Sequence, residues 1–197
     1  MLAIILKEIK EHSPFTAFGT LTGIIILSLM MVLNVPRFLS EHTFWLLHPA
    51  HVFFSAWVTA GIYWLYSSKK WLPTLIIGYI GSVGIGTLSD CLIPYAGELL
   101  LDLPHAHHHI GFIEKWWIVN PLAISGAMLG IGKPLTKEPH AGHVLLSTWA
   151  SLFHVMMAIG GTISAIELVL IGAFLFVSVL LPCCVSDIIF PLVFIKK

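Results

Sequence analysis

Two pairs of histidines in this chain have the type and spacing to do chemistry. His48 and His51 stand three residues apart, and so do His140 and His143. On a helix that spacing puts both imidazoles on one face, one turn from each other. Each pair is followed by an aspartate, Asp90 at 42 residues from His48 and Asp187 at 47 from His140. Two imidazoles and a carboxylate from a neighbouring helix supply three ligands to one divalent ion. Nitrogen with a single carboxylate suits zinc, iron, manganese, nickel or cobalt, and does not suit calcium or magnesium. The expected metal ligands are therefore His48, His51 and Asp90 in one group, and His140, His143 and Asp187 in the other.

Each pair heads a longer polar stripe. Ser55 and Thr59 continue the first at helical spacing, and Ser147, Ser151 and His154 continue the second. Ser55, Ser147 and His154 are the residues expected to line a path between the two groups. Cys183 lies one turn before Asp187 and can add a soft ligand. Between the stripes runs a polar segment with Glu98, Asp102, His105, His107, His108, His109 and Glu114. Histidine-rich tracts bind transition metals, so this one is expected to collect ions for the first group. Buried His and Ser also tie helices together, and His–Asp pairs relay protons near neutral pH. The duplication of the whole pattern favours a site over simple helix bridging.

The duplication extends beyond the histidines. His48 to Trp57 aligns with His140 to Trp149, with His, His, Val, Ser and Trp identical at matching positions. Downstream, Ser89-Asp90 with Pro94 matches Ser186-Asp187 with Pro191. The halves are 1–103, and 104–197 with the His-rich loop at its start.

What holds such stripes must be a membrane bundle. The chain has 197 residues, 57% hydrophobic and 10% charged, and a mean hydropathy of +0.93. A soluble domain carries about 25% charged residues, so twenty charges cannot clothe a water-facing surface. Disordered, coiled-coil and collagen-like chains are excluded by the same composition. A net charge of zero gives no bulk attraction to nucleic acid, and three cysteines make no disulfide framework.

Six transmembrane spans of about 20 apolar residues are expected, near 15–35, 44–66, 72–94, 116–131, 141–159 and 163–195. Pro182 and Pro191 are expected to kink the last, and Asn120-Pro121 to break the fourth. Residues 1–10 read as a short interfacial helix, not a signal peptide. With this threading Lys7, Lys10, Lys69, Lys70, Lys133, Lys137, Lys196 and Lys197 share one side, against Arg37 and Lys115. The positive-inside rule then puts both termini in the cytoplasm.

Three spans per half force the halves into opposite orientations, the inverted-repeat plan of small permeases. The reading is an all-α integral membrane protein of six spans, in the plasma (inner) membrane of a prokaryote. His48, His51 and Asp90 would face outward, and His140, His143 and Asp187 inward. The expected function is transport of a divalent transition metal, alone or coupled to protons, with homo-oligomers allowed. The alternative is a membrane-embedded metal-dependent enzyme, a di-iron His-box oxidase or hydroxylase or a zinc hydrolase; a haem subunit ranks below both. The inverted plan predicts that His105→Cys and His140→Cys, made singly in a cysteine-free background, label from opposite faces of sealed vesicles. Labelling from one face removes the inverted repeat.

Overall fold

The computed structural model describes residues 2–134, 139–184 and 189–195. Asp187 lies outside them, and so does the side chain of His140. The described residues are predominantly helical and contain no strand. In chain order the helices are α1 (Leu2–Val32), α2 (Arg37–Tyr66), α3 (Trp71–Thr87), a π-helical turn (Leu88–Leu92) and α4 (Ile93–Leu100). They continue with α5 (Gly111–Glu114), α6 (Trp116–Gly132), α7 (Pro139–Ala158), α8 (Ala165–Cys184) and α9 (Phe190–Val193).

Among the described residues three stretches are long and apolar enough to cross a bilayer: Ser13–Val32, Trp71–Leu100 and Ala165–Cys183. Trp116–Gly132 is apolar but shorter. The outside of the bundle is greasy: Val32, Leu46, Leu100 and Ile166 are each at least 70% exposed. The inside holds His48, Asp90, Glu98 and His154, each at most 1% exposed. A greasy exterior around buried polar groups is compatible with a membrane environment.

Two sequence expectations change. Residues 2–10 form no separate helix; they are the opening turns of α1, which runs on through Pro14. A proline removes only one backbone hydrogen bond, and the flanking turns carry the helix past it. Nor does Asn120-Pro121 break α6, which is continuous from Trp116 to Gly132. The Asn120 side chain is used instead as a tie, accepting from the Tyr79 hydroxyl at 3.1 Å and donating to the Phe112 carbonyl at 3.3 Å.

The helices do not pack by chain half. α6 packs on α2 and α3, while α1 packs on α7 and α8. α2 and α7 run antiparallel and join the two groups, with Phe44 beside His154 at one end and His51 beside His143 at the other. Leu27, Leu152, Val155, Ile171 and Leu175 seal the α1–α7–α8 side, and Val52, Val83, Val119 and Ala123 the α2–α3–α6 side.

The α2–α6 seam is set by two glycines. A Cβ on Gly126 would overlap the Phe53 carbonyl, and one on Gly130 would lie 2.6 Å from the Trp57 carbonyl and 2.7 Å from the Gly61 nitrogen. These are main-chain obstacles that no rotamer change relieves, and close backbone approach is how helices adhere without a hydrophobic drive. Gly126→Ala is expected to lower stability by roughly 1–3 kcal/mol, the usual cost of overpacking. Gly84→Ala, which meets nothing within 4 Å, should change it by less than about 0.5 kcal/mol. Thermal unfolding in detergent compares the two.

Candidate functional site

The site begins with a backbone irregularity. Pro94 has no N–H and its ring crowds the carbonyl four residues back, which is that of Asp90. The chain accommodates this with the π-helical turn Leu88–Leu92, in which the Ile93 N–H bonds the Leu88 carbonyl. In a regular α-helix that N–H would reach Ser89. The Ser89 carbonyl is taken up instead by the Ser151 hydroxyl of α7 at 2.9 Å. Such π turns recur at functional sites because they re-aim adjacent side chains. Here the turn carries Ser89, Asp90 and Cys91, all buried.

Asp90 is fully buried and accepts four hydrogen bonds. Its Oδ2 lies 2.9 Å from Nδ1 of His48 and 2.7 Å from Nδ1 of His51. Its Oδ1 accepts from the hydroxyls of Ser89 and Ser147, both at 2.7 Å. Four acceptor positions are all a carboxylate has, so Asp90 has none left for a metal. An ionised carboxylate only accepts, which makes Nδ1 of both rings the protonated nitrogen. The lone pair of each neutral ring is then on Nε2. This is the carboxylate–histidine arrangement that orients imidazoles as metal ligands. Asp90 thus holds the rings from behind, whereas the sequence pattern had placed it as a third ligand. The His48 Nε2 is buried with no hydrogen-bond partner among the described residues. It abuts Gly111, where any Cβ would overlap it.

From this centre the polar row continues both ways. Toward the α7 start, the His51 and His143 rings stack with centroids 5.9 Å apart and planes within 8°. Cys183 of α8 stands beside them, with a donor atom of each of the three residues within 4.8 Å of the others. Toward the α7 end, Phe44 separates His48 from His154, its ring 5.4 Å from the first and 5.3 Å from the second. His154 bonds Glu98 through Nδ1 at 2.6 Å, and its Nε2 is buried without a partner among the described residues. Glu98 also accepts from the His107 N–H at 3.3 Å. His109 lies 5.4 Å from His154 and bonds Glu114 at 3.3 Å. His107, His109 and Glu114 form a second group with donor atoms within 4.8 Å of one another, at the rim of the bundle. Burial holds the His109 ring below the ordinary histidine value of 6.5, against the Glu114 hydrogen bond, which favours its protonation.

Compared with the sequence expectation, His48, His51 and Asp90 meet as one group. His143 does not stand apart from them at an opposite face but touches His51. Ser147 belongs to the Asp90 cluster, Ser55 is buried further along α2, and His154 lies on the loop side of Asp90, not between two sites. Of the loop residues, His107 and His109 join the row. His108 packs on Tyr95 and His107, and His105 donates its backbone N–H to the Ala158 carbonyl at 3.2 Å. Glu98, read in the sequence as part of the polar segment between the stripes, sits in α4 and is buried. Phe44 had no sequence signal beyond its apolarity, although it lies one turn before His48.

No protein-family model, curated protein or solved structure matches the chain. A cleft of about 260 Å³ between α1, α2 and the α7–α8 connection is lined by Leu27, Met30, Met31, Arg37 and Met156, and Asp90 does not line it. Asp90→Asn turns one acceptor oxygen into a donor that faces two other donors. It should cost on the order of 3 kcal/mol, and Ser147→Ala about 1 kcal/mol, read as unfolding in detergent. Equal stabilities would mean that the Asp90 charge is not held by these four donors.

Proposed function

We propose that the chain is an integral membrane transporter for a divalent transition-metal ion, with proton coupling open to the same His–Asp pairs. The observation that carries this reading is the buried Asp90 carboxylate binding Nδ1 of two histidines and leaving their Nε2 atoms as lone pairs. A bundle with an apolar exterior tolerates such a cluster where an ion or proton passes. The row from His107, His109 and Glu114 at the rim to His143 and Cys183 in the interior offers an ion successive donors. Phe44 closes the line between the rim and the centre.

The six-span inverted repeat belongs to the same proposal. It is supported by the antiparallel α2–α7 pairing and by the exchange of α1 and α6 between the two helix groups. Ile189, which stands to Pro191 as Leu92 stands to Pro94, is also π-helical. The cytoplasmic termini rest on the lysine distribution alone.

A second reading has an observation in its favour. A membrane metalloenzyme needs its histidine clusters to converge on one face, and His48, His51, His109, His143 and His154 lie along one row inside one bundle. Flux separates the two. Purified protein in liposomes with a trapped metal-sensitive dye should admit Zn2+ or another first-row divalent ion. His48→Ala with His51→Ala should reduce the rate about tenfold or more. Absence of flux for every ion of that series, with metal retained through dialysis, overturns transport in favour of the enzyme.

A further inference from the structure

We infer that His51, His143 and Cys183 form one thiolate-containing ion site where the chain's two halves meet, and that its ion is a thiophilic divalent one of the zinc type. The inference rests on the metal reading above and narrows it to a ligand set. One donor atom from each residue lies within 4.8 Å of the others, and all three side chains are buried. They come from α2, α7 and α8, so the group exists only when the halves are docked. Asp90 occupies Nδ1 of His51, which leaves Nε2 of that ring for the ion.

Two imidazoles and one thiolate are donors that zinc binds tetrahedrally, and three protein ligands leave its fourth position open. A closed structural site would have four; an open one lets an ion enter and leave. Sulfur disfavours manganese, magnesium and calcium, which prefer oxygen. Charge agrees with this choice. A buried dication is tolerated only beside compensating anions, and the Cys183 thiolate with the Asp90 carboxylate behind His51 supplies two. Cys183 also packs on Val144 and Val179. If it were only a small apolar filler there, any bound metal would show no sulfur.

Cobalt is the probe, since a Co2+–thiolate bond gives an intense near-ultraviolet charge-transfer band. Metal-stripped full-length protein in detergent, titrated with Co2+, should show that band together with visible bands of tetrahedral strength. Zn2+ should abolish both, and excess Mn2+ neither. Cys183→Ser should lose the near-ultraviolet band, Cys91→Ser and Cys184→Ser should keep it, and His143→Gln should weaken Co2+ binding about tenfold or more. A wild-type cobalt complex without the sulfur band overturns the site whatever the variants do, as does loss of the band in Cys184→Ser instead of Cys183→Ser. If the band is absent while liposomes still pass metal, this site fails and transport stands. If the band forms and nothing passes, transport fails and the site stands as a resident metal centre.

Discussion

A carboxylate sealed inside an apolar bundle has to be satisfied by its neighbours, because neither water nor lipid will do it. Leaving such an ion bare costs several kcal/mol even after relaxation. Asp90 meets this demand with two imidazole N–H groups and two hydroxyls, drawn from α2, the π turn and α7. Three of those bonds tie α2 and α7 to the π turn, and the Ser151 hydroxyl on the Ser89 carbonyl adds a fourth tie, again to α7. The bonds to His48 and His51 also set the tautomer of both rings. The packing of the bundle and the chemistry of the site are therefore the same set of hydrogen bonds.

The backbone around Asp90 follows from one residue further on. Pro94 cannot donate to the Asp90 carbonyl, and the helix yields locally to a π turn instead of ending. The displaced Ser89 carbonyl then needs a donor, and Ser151 supplies it from α7. Removing one hydrogen bond where the π turn meets α4 thus creates a specific attachment to another helix. Ser151 bonds its own helix as well, at the Ser147 carbonyl, so the serines of α7 form a strip that the π turn lies against.

Glu98 repeats the logic nearer the rim. Buried in α4, it holds Nδ1 of His154 and the backbone of His107, and so ties the histidine loop to α7. The result is two carboxylate-held imidazole groups separated by the ring of Phe44.

Much of the site could be read from spacing. Helical periodicity put His48, His51 and Ser55 on one face and His143, Ser147, Ser151 and His154 on another. Composition alone predicted helices apolar enough to cross a membrane, and three such stretches are present among the described residues. The sequence by itself thus determined which residues are polar inside an apolar chain and which faces they share, because period and hydropathy are local properties. It could not show that His51 meets His143, that Glu98 is buried, or that Asp90 spends its oxygens on Nδ1 atoms. Those depend on the antiparallel crossing of α2 and α7 and on α1 and α6 packing across the halves. Only tertiary structure decided them, since distances between helices far apart in sequence are set by packing and by where buried donors find acceptors.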